Sequence, residues 1–140
     1  MRTRVLLATL CDQRLTIDDC THRNTYRFYA SAYGVEIECR YTTKYCPPWA
    51  TADERKPRVE KEKVRCSEAL AKMLNDLRSR SFPICPCPPT VNVFYKDMSI
   101  KFGDETSAAS FAWCFGNPPN EWKALDEFAL AVFKDAHGGR

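Results

Sequence analysis

Apolar and polar residues alternate along the N-terminal half of the chain, with the period of two that is typical of half-buried β-strands. Two such series lie between residues 24 and 41, on either side of Tyr33-Gly34, where glycine can adopt the positive φ of a tight turn. The apolar positions of the two series are Tyr26, Phe28, Ala30, Val35, Ile37, Cys39 and Tyr41. We therefore predict an antiparallel hairpin over residues 24–41, and a first strand over residues 2–10.

Two polar stretches interrupt this pattern. Residues 11–23, CDQRLTIDDCTHR, are polar and predict a long connection. Residues 42–65 include two adjacent prolines and then become dense in charge, with both signs mixed between Asp53 and Arg65. Mixed charge of this kind is typical of a solvated surface, so we predict a loop or an exposed ribbon there.

The C-terminal half contains two segments with the period of an amphipathic helix. Residues 66–80 predict the first helix, for which Ser67 is a suitable N-cap. Its apolar stripe consists of Leu70, Met73, Leu74 and Leu77. The second helix follows Asn117 and Pro118, and Gly138 ends it. Its apolar stripe consists of Trp122, Leu125, Ala129, Val132, Phe133 and Ala136.

Between the helices, residues 91–105 predict a second hairpin with its turn at Lys96-Asp97, and residues 107–116 predict a further strand. The predicted order is therefore βββ-α-βββ-α, in a single domain over residues 1–140. We predict an α+β fold in which two helices pack on one face of an antiparallel sheet. The other face is the expected surface for a partner.

Composition adds few constraints. The 140 residues are 44% hydrophobic and 28% charged, with a net charge of +3, which neither requires nor excludes an anionic partner. No apolar run approaches the roughly 20 residues of a membrane span. The run VLLATL is shorter than the core of an export signal, and Leu10 is a poor residue to precede a lipid-modified Cys11. We expect a cytoplasmic protein, with export or lipid anchoring at Cys11 left open.

The eight cysteines give an alternative hypothesis. Cys46, Cys85 and Cys87 each precede a proline, and the last two lie in the unusual stretch SFPICPCPPT. A zinc or redox module centred on these three residues is possible, yet the usual C-x2–4-C spacing is missing. Two further hypotheses for the cysteines are that they form disulfides and that a Cys-Pro thiolate binds haem iron. We favour a stiff turn with packed thiols, and we expect no cofactor and no metal.

Two other site types were weighed. A thiol, an imidazole and two carboxylates lie close together in the sequence, at Cys20, His22, Asp18 and Asp19. They are not part of a known catalytic motif, so we do not expect the protein to be an enzyme. An RNA or single-stranded DNA binding module is an alternative, because rings and charges interleave as in stacking surfaces. The interleaved residues are Arg27, Tyr29, Arg40, Tyr41, Lys44 and Tyr45. The small net charge makes this alternative less favoured than binding to a protein.

The segments ALAKMLNDLRSRSF, VNVFYKDMSIKFGDE and NPPNEWKALDEFALAVF follow one another within residues 64–136. This layout of a helix ending near phenylalanine, a two-strand ribbon and a proline-led helix resembles the emfourin-type inhibitors of thermolysin-like proteases. It is also similar to other small bacterial α+β domains. The resemblance implies a non-enzymatic binding protein.

The main hypothesis from the sequence is a small binding protein that inhibits or neutralises a partner protein, as inhibitors and immunity proteins do. Its contacts would lie on an exposed strand face, because Tyr, Trp and Arg dominate binding hot spots. The expected contact residues are Arg27, Tyr29, Arg40, Tyr41 and Trp49.

Overall fold

A computed structural model describes residues 4–15, 20–45, 49–80, 95–103, 109–114 and 120–136 of the chain. The described residues form six β-strands and two α-helices, with a short 3-10 turn at Asn120–Trp122 before the second helix. The elements are β1 (Val5–Leu15), β2 (Cys20–Ser31), β3 (Gly34–Tyr45), β4 (Arg58–Arg65), α1 (Glu68–Arg78), β5 (Tyr95–Phe102), β6 (Ala109–Cys114) and α2 (Lys123–Ala136).

The strands form one antiparallel sheet in the order β4-β3-β2-β1-β5-β6. Both helices pack on the same face of this sheet. On that face the rings of Phe28 and Phe128 stack 5.6 Å apart, and the Arg78 guanidinium lies over Phe102. The predicted α+β class, the antiparallel sheet and the two helices on one face are confirmed.

The predicted order of elements is wrong in two respects, because the described elements have a fourth strand before α1 and two strands, not three, between the helices, in the order ββββ-α-ββ-α. The segment 58–65, predicted as a loop or ribbon, is the edge strand β4, paired with β3 from Glu36↔Arg65 to Thr43↔Arg58. Charged residues alternate in sign from Glu60 to Lys63, so the strand sends the two glutamates to one face and the two lysines to the other. Edge strands tolerate such charge, since it protects them from unwanted pairing.

The predicted turn at Lys96-Asp97 is also wrong. Strand β5 runs unbroken through these residues and pairs with β1 from Leu15↔Tyr95 to Ala8↔Phe102. Strand β1 extends to Leu15 and β2 begins at Cys20, so most of the predicted connection 11–23 is strand. Neighbouring strands on both sides supply the backbone hydrogen bonds of these polar residues. The pattern of their side chains does not predict this pairing. Residues 81–94, which include SFPICPCPPT, lie outside the described part.

Two local predictions are confirmed. Gly34 adopts φ +114 after the turn at Ala32 and Tyr33, a conformation that favours glycine. Ser67 caps α1, because its Oγ accepts a hydrogen bond of 3.2 Å from the backbone N–H of Leu70. The hairpin β2–β3 and the start of α1 therefore follow from local sequence.

One hydrophobic core fills the space between the sheet and the helices. The largest fully buried side chains are Trp122, Tyr26, Phe28, Phe128, Leu10, Ile37, Leu77, Met98, Ile100, Leu125 and Val132. Close packing of these residues holds one face of the sheet against both helices. Within the described chain, neither helix is long and apolar enough to cross a membrane.

Candidate partner-binding surface

The second face of the sheet is covered by no described helix, and we call it the uncovered face. Residues paired across neighbouring strands share a face. One row across five strands runs Lys61, Arg40, Thr25, Cys11 and Ser99. The next row runs Lys63, Glu38, Arg27, Thr9 and Lys101. These rows bring basic and hydroxyl-bearing residues from distant parts of the chain onto one surface.

The strand period sorts charge between the two faces. On β4, Lys61 and Lys63 lie on the uncovered face, whereas Glu60 and Glu62 pair with residues of the helix-covered face. Among the side chains that the structure describes, the only acidic ones on the uncovered face are Glu36 and Glu38. The basic ones are Arg4, Arg23, Arg27, Arg40, Lys44, Lys61, Lys63, Arg65 and Lys101. The net charge of +3 for the whole chain therefore conceals a strongly basic face.

The centre of the uncovered face is a depression of about 700 Å³, which we call the basic trough. Its lining includes Arg23, Arg27, Arg40 and Lys101, with the hydroxyls of Thr25 and Ser99 among others between them. A smaller depression of about 370 Å³ lies between β3 and β4 and shares Arg27 and Arg40 with the trough. Guanidinium groups beside hydroxyls are suited to bind anionic oxygens.

One end of the uncovered face is neutralised by ion pairs. Arg4 Nη1 lies 2.6 Å from Glu38 Oε2 and 3.3 Å from Glu36 Oε1, and Lys63 Nζ lies 3.9 Å from Glu38 Oε2. The hydrogen bond from Arg4 is the main reason that the pKa of Glu38 is lowered. The Arg4 guanidinium also stacks 4.3 Å from the centroid of the Tyr29 ring. This end is thus a closed network of paired charges.

The trough end has less of this neutralisation, which there comes from Glu38 opposite Arg27, whose charge also lowers the pKa of that carboxyl. Arg40 and Lys61 face each other directly across β3 and β4, an arrangement of like charges that destabilises a sheet. Within the described residues neither of them, nor Lys101, forms an ion pair. Arg23 Nε donates to Cys11 Sγ at 3.2 Å, which is no charge neutralisation. These cations remain available to an anion from outside the protein.

The structure brings together three of the five predicted contact residues. Arg27, Tyr29 and Arg40 lie on the uncovered face. Tyr41 lies on the helix-covered face, where its ring makes edge contacts with Tyr26 at 6.1 Å and with a ring of α2 at 6.4 Å. Its predicted place on that surface is wrong, because it follows Arg40 directly and the strand sends successive residues to opposite faces. Trp49 is 75% exposed but lies in the segment between β3 and β4.

Sequence reasoning missed several basic residues of the uncovered face. The sequence predicts a solvated loop or an exposed ribbon of mixed charge around Lys61 and Lys63, and it singles out neither Arg23 nor Lys101. The signal was present in RVEKEKVR, in which basic and acidic residues alternate with a period of two at Glu60–Lys63. Testing the charges for a period of two, as is done for apolar residues, would have predicted a strand with its lysines on one face.

The cysteine hypothesis falls largely outside the described residues, since Cys46, Cys85 and Cys87 all lie there. Among the described cysteines, Cys39 and Cys66 are buried thiols, and burial raises the pKa of Cys66 to about 11. No group of three His, Cys, Asp or Glu residues close enough to hold a metal occurs in the described part. The zinc or redox alternative therefore stays a prediction.

The catalytic hypothesis gains no geometry either. Asp18 and Asp19 are not among the described residues, and the Nδ1 of His22 lies 3.5 Å from the hydroxyl of Thr43 on the neighbouring strand. This contact is a cross-strand pair rather than a link to a nucleophile. The absence of an enzymatic role stays an expectation.

No protein-family model matches the chain, and a search of curated proteins found no match.

Proposed function

We propose that this protein is a non-enzymatic binding protein that inhibits or neutralises a partner protein through the uncovered face of its sheet. The observation that carries the proposal is the separation of charge between the two faces. Arg40 and Lys61 are cations without ion-pair partners among the described residues, and they lie directly opposite each other on neighbouring strands. Charge complementarity on such a surface accelerates association and selects partners of opposite charge.

A protein partner is favoured because the face is patterned rather than uniformly basic. The network of Arg4, Glu36 and Glu38 adjoins the trough, and Tyr29 and the exposed Tyr33 lie at that same end. Protein interfaces combine aromatic anchors with a polar, charged surround. A nucleic acid remains the second candidate, favoured by the arginines and hydroxyls of the trough.

The test uses two variants with the same change in net charge. Arg40→Glu combined with Lys61→Glu reverses two charges on the uncovered face. Lys123→Glu combined with Lys134→Glu reverses two exposed charges on α2, on the opposite side of the sheet. Partners would be captured from the native host with wild-type protein, and each would be purified and titrated by calorimetry against all three proteins.

We expect a purified partner whose affinity falls at least tenfold with the uncovered-face variant, since two charge pairs are replaced by repulsion. The α2 variant should bind within about twofold of wild type, because charges far from an interface contribute little through solvent. An equal loss of affinity in both variants, or an affinity that neither variant changes, would contradict the proposal.

A further inference from the structure

We infer that the basic trough binds an extended acidic segment of a partner protein, with carboxylates at alternate residues i, i+2 and i+4. This inference rests on the proposed function and specifies the chemistry of the partner. It follows from how the cations of the trough are distributed across the strands.

The cations lie on three strands and in three neighbouring rows of the sheet, rather than in one cluster. Arg40 lies on β3, Arg23 and Arg27 lie on the adjacent β2, and Lys101 lies on β5 beyond β1. Strands are spaced by about 4.8 Å, so β3 and β5, three intervals apart, are separated by about 14 Å. An extended chain rises about 3.4 Å per residue, so residues i and i+4 are also about 14 Å apart. Lys101 also lies one row away from Arg40, about 6.8 Å along the strands, so their backbone positions are about 16 Å apart. The long side chains of Arg40 and Lys101 cover the difference of about 2 Å, and three alternate side chains can therefore span the trough.

Each step across the trough offers a matching group. The first carboxylate would lie at the like-charged pair Arg40 and Lys61, where an anion relieves repulsion. The second would lie over Thr25, which Arg23 and Arg27 flank on β2. The third would lie at Lys101, which is adjacent to the row of Ser99. Each arginine guanidinium can donate two parallel hydrogen bonds to the two oxygens of a carboxylate, and the hydroxyls can donate to those oxygens as well.

Carboxylates fit this surface better than a polynucleotide does. Base-independent binding of single strands uses exposed rings on which bases stack. Within the described lining of the trough there is no aromatic ring, and the nearby Tyr29 ring is already covered by Arg4. Glu36 and Glu38 would also repel a continuous row of phosphates that extended past the trough.

The experiment titrates isotope-labelled protein with three ligands at low ionic strength and follows amide chemical shifts. The first ligand is an acetylated and amidated peptide, Ser-Glu-Ser-Glu-Ser-Glu-Ser. The second has the same composition with its three glutamates consecutive, so that an extended chain can turn only two of them to one face. The third is an oligothymidylate with three phosphates. The wild type is compared with Arg40→Gln/Lys101→Gln and with the α2 variant Lys123→Gln/Lys134→Gln.

We expect shifts on β1, β2, β3 and β5, and binding of the alternating peptide about two- to fivefold tighter than the consecutive one, the worth of one exposed ion pair. The Arg40→Gln/Lys101→Gln variant should bind the alternating peptide at least about fourfold more weakly, since two such pairs are lost, whereas the α2 variant should match wild type.

Tighter binding of the oligothymidylate with the same loss in the trough variant would overturn the inference in favour of a phosphate ligand. Equal affinity for both peptides, or shifts outside the trough, would also overturn it. These results would not exclude the uncovered face as a binding surface. That proposal is tested separately, by titrating the purified partner against the two charge-reversal variants of this protein.

Discussion

The two faces of the sheet are built from the same strands and have opposite properties. On β2, Phe28 is fully buried and stacks on Phe128 of α2, whereas its neighbour Arg27 is exposed on the uncovered face. On β3, Ile37 is buried between Glu36 and Glu38, which belong to the ion-pair network. A single residue step thus separates a side chain buried in the core from one on the uncovered face.

The position of a charged residue along a strand decides which face of the sheet it lies on, and the composition of the segment does not show this. Positive and negative residues are mixed in the segment that contains β4, and this mixture is the reason that the sequence predicts a solvated loop or an exposed ribbon there. Placed in a ladder, Lys61 and Lys63 join the cations of β2 and β3, while Glu60 and Glu62 turn away. Segregation by face produces a local field that the net charge of the chain does not report.

The largest expected contrast is between neighbouring residues of β2. Phe28→Ala should lower the free energy of unfolding by about 3–5 kcal/mol, because it removes a fully buried ring and leaves a cavity. Arg27→Ala should change it by no more than about 0.5 kcal/mol, as exposed substitutions usually do. Urea unfolding followed by circular dichroism measures both. Similar losses for the two variants would mean that the uncovered face is packed against something.

The second contrast concerns alkaline pH. Burial raises the pKa of Cys66 from the ordinary value of 9.0 to about 11, and burial also raises the pKa of Tyr26. The unfolded chain therefore ionises first. The contribution of Cys66 is complete below pH 9.0 and is lost as pH rises towards about 11. We expect the melting temperature to fall across this range, and less steeply in Cys66→Ala; an identical slope in that variant would count against the assignment.

A smaller and opposite effect is expected on the uncovered face. Lys61→Glu replaces a like-charged pair with an attractive pair opposite Arg40. The free energy of unfolding should rise by about 0.2–1 kcal/mol, the range of cross-strand pair effects, even though binding to an anionic partner weakens. Chemical denaturation at low and high salt tests this, since the gain should shrink as salt screens the charges. A loss of stability at low salt would show that Lys61 has a structural role.

The smallest expected effect sharpens the division within the uncovered face. The pKa of Glu38 should lie below its ordinary value of 4.5, chiefly because Arg4 donates a hydrogen bond to it. Arg4→Gln should move this pKa back towards 4.5, as followed by carbon NMR of the side-chain carboxyl. Any stability from this pair is present above that value and is lost as pH falls through the lowered pKa. An unchanged titration of Glu38 in the variant would remove Arg4 as the cause.

Particular elements show where the sequence was sufficient. Gly34 and the alternation on either side of it predict the β2–β3 hairpin, since turn and strand preferences are local. Ser67 and the stripe that includes Leu70, Leu74 and Leu77 predict α1 for the same reason. Of the candidate surface, Arg27, Tyr29 and Arg40 were identified because Tyr and Arg are common in binding hot spots, and the period of two places all three on the face opposite Phe28 and Ile37.

The sequence by itself determined the class of this protein, its amphipathic elements and which residues of the central hairpin are buried, because these depend on side-chain periods within short segments. Only the tertiary structure decided that residues 58–65 are a strand, that β5 runs through Lys96 and Asp97, and that Arg40 lies opposite Lys61. Pairing between strands distant in the chain makes these arrangements, since a backbone of polar residues becomes a strand when a neighbouring edge supplies its hydrogen bonds. The basic trough is a product of that pairing, because no one segment of the chain contains it.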